Sequence, residues 1–378
     1  MSSIDFIILY TALFGLFFSI SQIKQKTINR NVLLWGLALI IAFVIIIGMR
    51  YGWGVDYISY KYWIDNPKED ENIFFAKINS ILSLIGFEYA EKFMFYALCM
   101  AVGGLVFLRT FHYNKYMIAF FLPAMFDSAT TFIRQGFALS IFYFSIYYMW
   151  RRKHIIGVLL LLLCIGVHTG LLSTIIFPFL FLFLHKWYKK PFPILLTIPI
   201  YIIITISVDY VNNFFATNFT SAFTFLQYFG KFESYSENSD YWFGEDGVNE
   251  IYAQSIATML MTLIFEASIM YLGAKALKQK YNKRVCIYYN TAVIGMFIMR
   301  IGYYLEIIRR VGQLSMAFYF VPLGYAFSVF LKRRTLAAMS RQERIIAISA
   351  ICCCVIFLLL FYGRTILLSP EKKFIWNI

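Results

Sequence analysis

Charged residues are scarce along this chain, and that scarcity is the first constraint on its fold. Only 14% of the 378 residues are Asp, Glu, Lys or Arg, whereas 61% are hydrophobic. Soluble globular domains carry about 25% charged residues, so a soluble fold is excluded. A membrane-spanning helix needs about 20 mostly apolar residues, so the length predicts about 12 spans with short loops. We therefore expect an all-α polytopic integral membrane protein with a single transmembrane domain over 1–378.

Metal-binding and nucleotide-binding signatures are also missing. The six cysteines form no CxxC pair and no Cys/His cluster, so neither a disulfide framework nor a metal site is expected. The sequence has no Gly-rich phosphate loop. It also has no DxD motif and no glutamate dyad, which argues against a nucleotide-sugar transferase and against an ordinary glycosidase. No metal site and no cofactor are therefore expected.

Apolar runs fill most of the chain. The first lacks the basic flank and the small-residue cleavage site of a secretory signal, so we interpret it as a retained helix whose N-terminus lies outside. The predicted spans lie at about 4–20, 32–49, 93–108, 116–132, 136–150, 155–169, 171–184, 192–208, 254–272, 285–301, 311–330 and 345–362.

Basic residues divide the connecting segments into two sets. With the N-terminus outside, the inner segments hold 21 of the 34 Lys and Arg but only one acid, Glu343. The positive-inside rule explains this division. It also explains most of the net charge of +14, which in a soluble protein would suggest nucleic acid, so no nucleic-acid partner is expected. Two outer segments are long, about 50–92 and 209–253, and amphipathic stretches such as 74–87 are expected to lie on the membrane surface or to re-enter it.

Several arginines lie on the outer side, against this charge bias. Charges at membrane depth are costly and usually face a cavity or a partner. The planar fork of Arg bonds two phosphate oxygens at once, which makes a shared diphosphate ligand one interpretation. Snorkelling to lipid headgroups is the alternative for each residue alone. The candidate diphosphate-binding residues are Arg50, Arg134, Arg300, Arg309 and Arg310.

The run from about 116 to 150 is too long for one crossing, since 35 helical residues extend about 52 Å. Pro123 is predicted to interrupt it, and 127–135 provides a polar centre. Non-helical backbone at membrane depth is tolerated where it lines a cavity. We therefore expect Arg134 and Gln135 to face a pocket near the outer surface, with a simple tight turn as the alternative.

Two residues are candidates for the general base. His168 lies between two apolar runs whose inner ends are basic, which predicts that it lies at the outer tip of a hairpin. A neutral imidazole acts as a base near neutral pH. The alternative is a turn histidine bonded to backbone. Asp56 lies just beyond Arg50 and is the rival base, the orienting partner of His168, a sugar-hydroxyl acceptor or an ion-pair partner of Arg50.

Aromatic and polar residues beside these groups are candidate sugar ligands. Tyr57 and Tyr60 lie close enough to Asp56 to stack on a sugar ring, and Gln135 follows Arg134 directly. Glu266 is an isolated acid within an apolar run, and it is predicted either to pair with an outer arginine or to mark a proton path.

Three short segments carry a family resemblance. RYGWGVDYISY at 50–60, FIRQGFALSIF at 132–142 and GVHTGLL at 166–172 occur in this order along the chain. In order and spacing they resemble the EpsG family, which comprises Wzy-type polymerases of bacterial exopolysaccharide and O-antigen. The positions within these segments that the resemblance singles out are Arg50, Gly52, Asp56, Arg134, Gln135 and His168.

The resemblance implies a specific reaction. Such enzymes transfer a growing glycan from undecaprenyl diphosphate to the terminal hydroxyl of another repeat unit linked to undecaprenyl diphosphate. It also implies a bacterial inner-membrane location with the active site facing the periplasm, lipid-linked donor and acceptor as partners, and a protein that regulates chain length. His168, Asp56 and Arg134 would then be the catalytic residues.

Other functions compete with this one. An O-antigen ligase-like glycosyltransferase has a similar architecture. A flippase or transporter of lipid-linked oligosaccharide also has many helices and a cationic cavity, but its charges run through the midplane of both halves, and no internal repeat is evident here. A membrane acyltransferase is disfavoured, because the single outer His has no inner counterpart.

Overall fold

The computed structural model describes residues 2–52, 57–66, 73–168, 183–184, 186, 188–211, 214, 255–303, 306–367 and 373–374. These residues are almost all helical. The helices of the N-terminal half are α1 (Ser2–Ile20), α2 (Gln25–Arg30), α3 (Val32–Gly48), α4 (Tyr57–Asp65), α5 (Ile73–Leu84), α6 (Tyr89–Leu108), α7 (Lys115–Thr130), α8 (Ile133–Trp150) and α9 (His154–Val167).

The second half has longer gaps between its described helices. These are α10 (Ile194–Ile206), α11 (Ile256–Gln279), α12 (Lys283–Ile301), α13 (Glu306–Met316), α14 (Phe320–Phe330), α15 (Arg333–Ala337) and α16 (Arg341–Tyr362). Two short strands, β1 (Arg50–Tyr51) and β2 (Lys373–Phe374), pair antiparallel. The outer segment predicted at 209–253 lies outside the described residues, except for 209–211 and 214.

The helices identify a membrane protein. Among the described residues, four helical stretches are long and apolar enough to cross a bilayer: Tyr89–Phe111, Ile256–Gln279, Val311–Phe330 and Arg341–Tyr362. The third of these contains the end of α13 and all of α14, with a turn between them. Shorter apolar helices include Asp5–Ile20, Val32–Gly48 and Ile194–Ile206. The predicted number of spans stays a prediction, because the run at 171–184 lies outside the described residues apart from its last two.

The long run around Arg134 is divided, but not at the predicted place. Pro123 lies inside α7, and the helix continues to Thr130. Helix α7 ends at Thr130, residues 131–132 form the break, and α8 begins at Ile133. Proline is tolerated inside a membrane helix because neighbouring groups satisfy the freed backbone. The expected interruption at Pro123 is therefore wrong, since the helix breaks at 131–132 instead. That Arg134 and Gln135 face a pocket stays a prediction.

The run predicted at 311–330 is also interrupted. Helix α13 ends at Met316, residues 317–319 form a turn, and α14 begins at Phe320. Apolar content alone gave no sign of this turn, because the hydrophobic pattern continues through it.

The chain divides into two compact units. The first comprises Met1–Phe179, Leu323–Ser328 and Leu358–Ile378, and the second comprises Leu180–Pro322 and Val329–Phe357. Within the first unit, Gly103 of α6 lies against Ser140 of α8, and there is no room between them for a Cβ. Small residues at such crossings allow membrane helices to approach closely. This packing fixes the position of α8 on α6.

Candidate functional site

Arg134 lies in the first turn of α8 and is surrounded on one side by aromatic rings. Its guanidinium carbon is 4.3 Å from the centre of the Trp63 ring, 5.4 Å from Tyr60 and 5.9 Å from Phe75. The side chain is half-buried. Arginine stacks on aromatic faces because its planar cation is attracted to the ring quadrupole. This contact holds the flat face of the guanidinium, whereas phosphate binds the N–H groups at its edge.

The rings come from the two short helices of the first outer segment. In α4, Tyr57, Tyr60 and Ile64 are buried, and their spacing of three and four residues places them on one face. In α5, the buried residues are Phe75, Asn79 and Leu82, again on one face. Both helices therefore pack their inner faces on the protein, which brings Tyr60, Trp63 and Phe75 to Arg134.

Arg50 is almost completely enclosed, with 1% of its surface exposed. Its Nη1 donates a hydrogen bond to the Ile47 carbonyl, and its Nη2 donates one of 2.8 Å to the Thr130 carbonyl. The guanidinium carbon also lies 5.7 Å from the Tyr57 ring and 5.4 Å from the Phe93 ring. In its described contacts Arg50 has a structural role, because it joins the end of α3 to the end of α7. The next helix, α8, carries Arg134 in its first turn. Its predicted binding of diphosphate stays a prediction.

The predicted sugar-binding residues are buried. Tyr57 has no exposed surface and stacks on Phe93 with ring centres 5.1 Å apart. Its hydroxyl has no hydrogen-bond partner among the described residues, and burial raises the pKa of that hydroxyl while the charge of Arg50 opposes the rise. Tyr60 and Gln135 are also buried. The sugar-binding assignment of all three stays a prediction.

Asp56 lies outside the described residues, with 53–56 as a whole. Gly52 is described and has a φ of +71°, a conformation that favours glycine. It turns the chain after β1, directly before the segment that holds Asp56. The described residues resume at Tyr57, directly after Asp56.

His168 ends α9 as its C-terminal cap, with extended backbone, and its N–H donates to the Cys164 carbonyl. The side chain is half-buried. Helices α8 and α9 pack as an antiparallel pair, with the Ser145 hydroxyl bonded to the Gly157 carbonyl at 2.6 Å. The start of α8 and the end of α9 therefore lie at the same end of the first unit. Phe74 of α5 packs on Gly166, two residues before His168.

The second unit contains a buried ion pair. Nη2 of Arg300 lies 3.2 Å from a carboxylate oxygen of Glu266, and Nε of Arg300 donates a 2.7 Å hydrogen bond to the Tyr201 hydroxyl. The side chains of Arg300 and Glu266 are 6% and 3% exposed. Of the two interpretations of Glu266, the structure shows pairing with an arginine, Arg300, whose predicted location on the outer side stays a prediction. The role of Arg300 in binding diphosphate stays a prediction.

The other predicted arginines of this unit lie on α13. Gly312 of α13 packs on Met299 of α12, so the two helices form a close antiparallel pair. Arg309 is half-buried, and the side chain of Arg310 lies outside the described residues. Their predicted role is untested by the described contacts.

Sequence reasoning missed Trp63 and Phe75, whose rings lie against Arg134. The first was signalled by Tyr57, Tyr60 and Trp63, whose spacing of three residues is typical of one helical face. Phe75 had no such signal, because its neighbourhood depends on tertiary packing. Among the described residues, no group of three His, Cys, Asp or Glu side chains is placed to hold a metal ion.

The three segments that carried the resemblance all belong to the first unit. Their residues Arg50, Arg134 and His168 lie at one end of it, at the ends of α3, α8 and α9. The EpsG family matches residues 33–377, nearly the whole chain. No curated protein and no solved structure matches it. The chain therefore belongs to the EpsG family and is a membrane protein of the polysaccharide-polymerase type.

Proposed function

We propose that the protein polymerises lipid-linked saccharide repeat units. The acceptor hydroxyl at the end of one repeat unit attacks the anomeric carbon of a glycan carried on undecaprenyl diphosphate. A new glycosidic C–O bond forms, and the bond from the anomeric carbon to the diphosphate oxygen breaks. Undecaprenyl diphosphate leaves with the electron pair, and the acceptor proton passes to a base. The donor is already activated, so the reaction needs no nucleotide.

Arg134 is the residue that we assign to the diphosphate. The observation that carries the proposal is its contact with Trp63, 4.3 Å from guanidinium carbon to ring centre, in a half-buried position at a helix start. Stacking fixes the plane of the guanidinium and directs its edge N–H groups. A preorganised cation of this kind stabilises the charge that develops on the leaving diphosphate, which is usually the largest catalytic contribution.

His168 is the proposed base, with Asp56 as the alternative or as its orienting partner. His168 is half-buried and lies at the same end of the first unit as Arg134. Phe74 and Phe75 are consecutive in α5, and they contact Gly166 beside His168 and the guanidinium of Arg134 respectively. A single helix therefore borders both groups, which supports their use in one reaction.

We further propose that this end of the first unit faces the periplasm from the inner membrane. The opposite ends of its helices carry Arg109, Lys115 and Arg151–Lys153, as the positive-inside rule requires of cytoplasmic segments. Arg50, Arg300, Arg309 and Arg310 are secondary candidates for binding the lipid diphosphates of donor and acceptor. A separate protein would regulate chain length.

The first test is made in cells. The gene is deleted in its bacterial host, and the surface glycan is resolved on a gel after complementation with wild type, Arg134→Gln or His168→Ala. The expected result is a ladder restored by wild type and reduced to single repeats by both variants. Loss of every surface repeat after deletion would favour a flippase or a ligase instead. An unchanged ladder would exclude O-antigen and direct the assay to exopolysaccharide.

The second test uses purified protein and lipid-linked repeat units in detergent. Arg134→Gln is expected to lower the polymerisation rate about 100- to 1,000-fold, as loss of one preorganised transition-state donor does. Arg109→Gln is the matched control, because it removes the same charge from an exposed position at the predicted cytoplasmic end. Equal rates for the two variants would contradict the assignment of Arg134.

A further inference from the structure

Lys92 is a buried cation in the first turn of α6, with 3% of its surface exposed. An ammonium in such a place is costly unless its donors are bonded. Its Nζ donates a 3.1 Å hydrogen bond to the Ile64 carbonyl and a 2.7 Å hydrogen bond to the Ser83 hydroxyl. Among the described residues no carboxylate lies within ion-pair distance of this nitrogen. Lys92 is therefore held by uncharged groups.

Both of these acceptors lie in the last turn of a short helix. Ile64 is the penultimate residue of α4, and Ser83 is the penultimate residue of α5. The carbonyl end of a helix carries partial negative charge, so a cation there is favourable. One ammonium thus clamps the ends of two helices onto α6.

A second contact holds α5 one turn further along α6. The Tyr96 hydroxyl donates to the side-chain oxygen of Asn79, and the ring of Tyr96 stacks on Phe75 with centres 5.1 Å apart. Together with Lys92, this contact defines how α5 lies on α6.

The clamped helices carry the rings that contact Arg134. Trp63 directly precedes Ile64, whose carbonyl accepts from Lys92, and Phe75 lies one turn before Asn79. These rings are 4.3 Å and 5.9 Å from the guanidinium carbon. An unbroken series of contacts therefore runs from Lys92 through α4 and α5 to Arg134.

We propose that Lys92 is a positioning residue that sets the orientation of the Arg134 guanidinium through α4 and α5. It acts at a distance and does not itself contact the substrate. This role rests on the proposed function, because it concerns the same diphosphate subsite. Removing Lys92 is expected to loosen both short helices and to weaken the binding of the lipid diphosphate.

Hydrogen exchange tests the clamp without any reference to activity. Lys92→Met has a similar length but no charge, and Lys77→Met removes a charge from the exposed face of the same α5 helix. In Lys92→Met, amide exchange in 57–66 and 73–84 is expected to accelerate about tenfold or more, because bonds to a charged donor stabilise the closed state. Lys77→Met should exchange like wild type. Unchanged exchange in Lys92→Met would overturn the proposal.

Kinetics with purified lipid-linked repeat units then test the positioning role. In the wild-type background, Lys92→Met is expected to lower kcat/KM about tenfold, mainly through a higher KM. In the Arg134→Lys background the loss should be less than about twofold, because Lys92 is proposed to act through Arg134. Equal losses in both backgrounds, or faster exchange with wild-type kinetics, would reduce Lys92 to a structural role. Wild-type kinetics in Arg134→Lys would instead overturn the proposed diphosphate site itself. That would hold even if hydrogen exchange showed that Lys92 holds α4 and α5 in place.

Discussion

In the first unit the described contacts of Arg134 are with the faces of aromatic rings, whereas in the second unit Arg300 is bonded at its edge by Glu266 and Tyr201. The edge is the part of a guanidinium that recognises phosphate. A carboxylate there also cancels the charge, as it does in the pair of Arg300 and Glu266. Among the described contacts, Arg300 joins α10, α11 and α12 of its unit, whereas binding of the diphosphate by Arg134 is our proposal.

The largest effect is expected from breaking the pair in the second unit. Glu266→Leu leaves Arg300 as a buried charge without its carboxylate, and is expected to lower the free energy of unfolding by about 3–5 kcal/mol. Thermal unfolding of the detergent-purified protein measures this loss. The double variant Glu266→Leu/Arg300→Met should regain most of it. A single variant as stable as wild type would show that the pair contributes little.

The same substitution at the two arginines sharpens the comparison. Arg134→Lys keeps the charge but loses the planar fork, so kcat/KM is expected to fall about 10- to 100-fold with little change in stability. Arg300→Lys should mainly lower the unfolding temperature, with little change in kcat/KM of the folded fraction. Both quantities are measured on the same purified samples. The reverse pattern would assign the diphosphate to Arg300.

Trp63 gives a smaller effect in the first unit. Trp63→Leu removes the ring face beneath Arg134, and a cation–π contact of this kind is worth about 0.5–2 kcal/mol, so KM is expected to rise between about 2- and 30-fold. Trp63→Phe retains a ring and should lie between wild type and Trp63→Leu. Steady-state kinetics with lipid-linked repeat units check the order. Equal KM values for all three proteins would exclude a role for the ring.

Tyr57→Phe is expected to have the smallest effect. It removes a buried hydroxyl that has no hydrogen-bond partner among the described residues, so stability should stay unchanged or rise by about 1 kcal/mol. Polymerisation should continue at the wild-type rate if the hydroxyl binds no sugar. A large loss of activity with normal stability would restore Tyr57 as a sugar ligand.

Much of the fold followed from the sequence, because apolar runs mark membrane helices whatever their neighbours are. Arg50, Arg134 and His168 were also predicted to act together, and these three residues lie at one end of one unit. The break before Arg134 was displaced from Pro123, because membrane helices tolerate proline while a turn depends on how two helices pack.

The contacts inside the site were not predictable. Trp63 and Phe75 lie 71 and 59 residues before Arg134, on helices α4 and α5, whose last turns accept hydrogen bonds from Lys92. Lys92 lies just before the predicted span at 93–108, so the sequence indicated only an ordinary charged residue of a loop. The pairing of Glu266 and Arg300 was partly predictable, because a charge within or at the end of an apolar run needs a partner. The sequence did not indicate which residue that partner is.

The hydrogen bond from Arg50 to the Thr130 carbonyl has a consequence for biosynthesis. It joins residues 80 positions apart in the sequence. At a synthesis rate of about 5–20 residues per second, the arginine emerges roughly 4–16 s before its acceptor exists. Until then Arg50 lacks this backbone acceptor. The bond between Arg50 and the end of α7 therefore forms only after residue 130 has been made, while the larger part of the chain is still to follow.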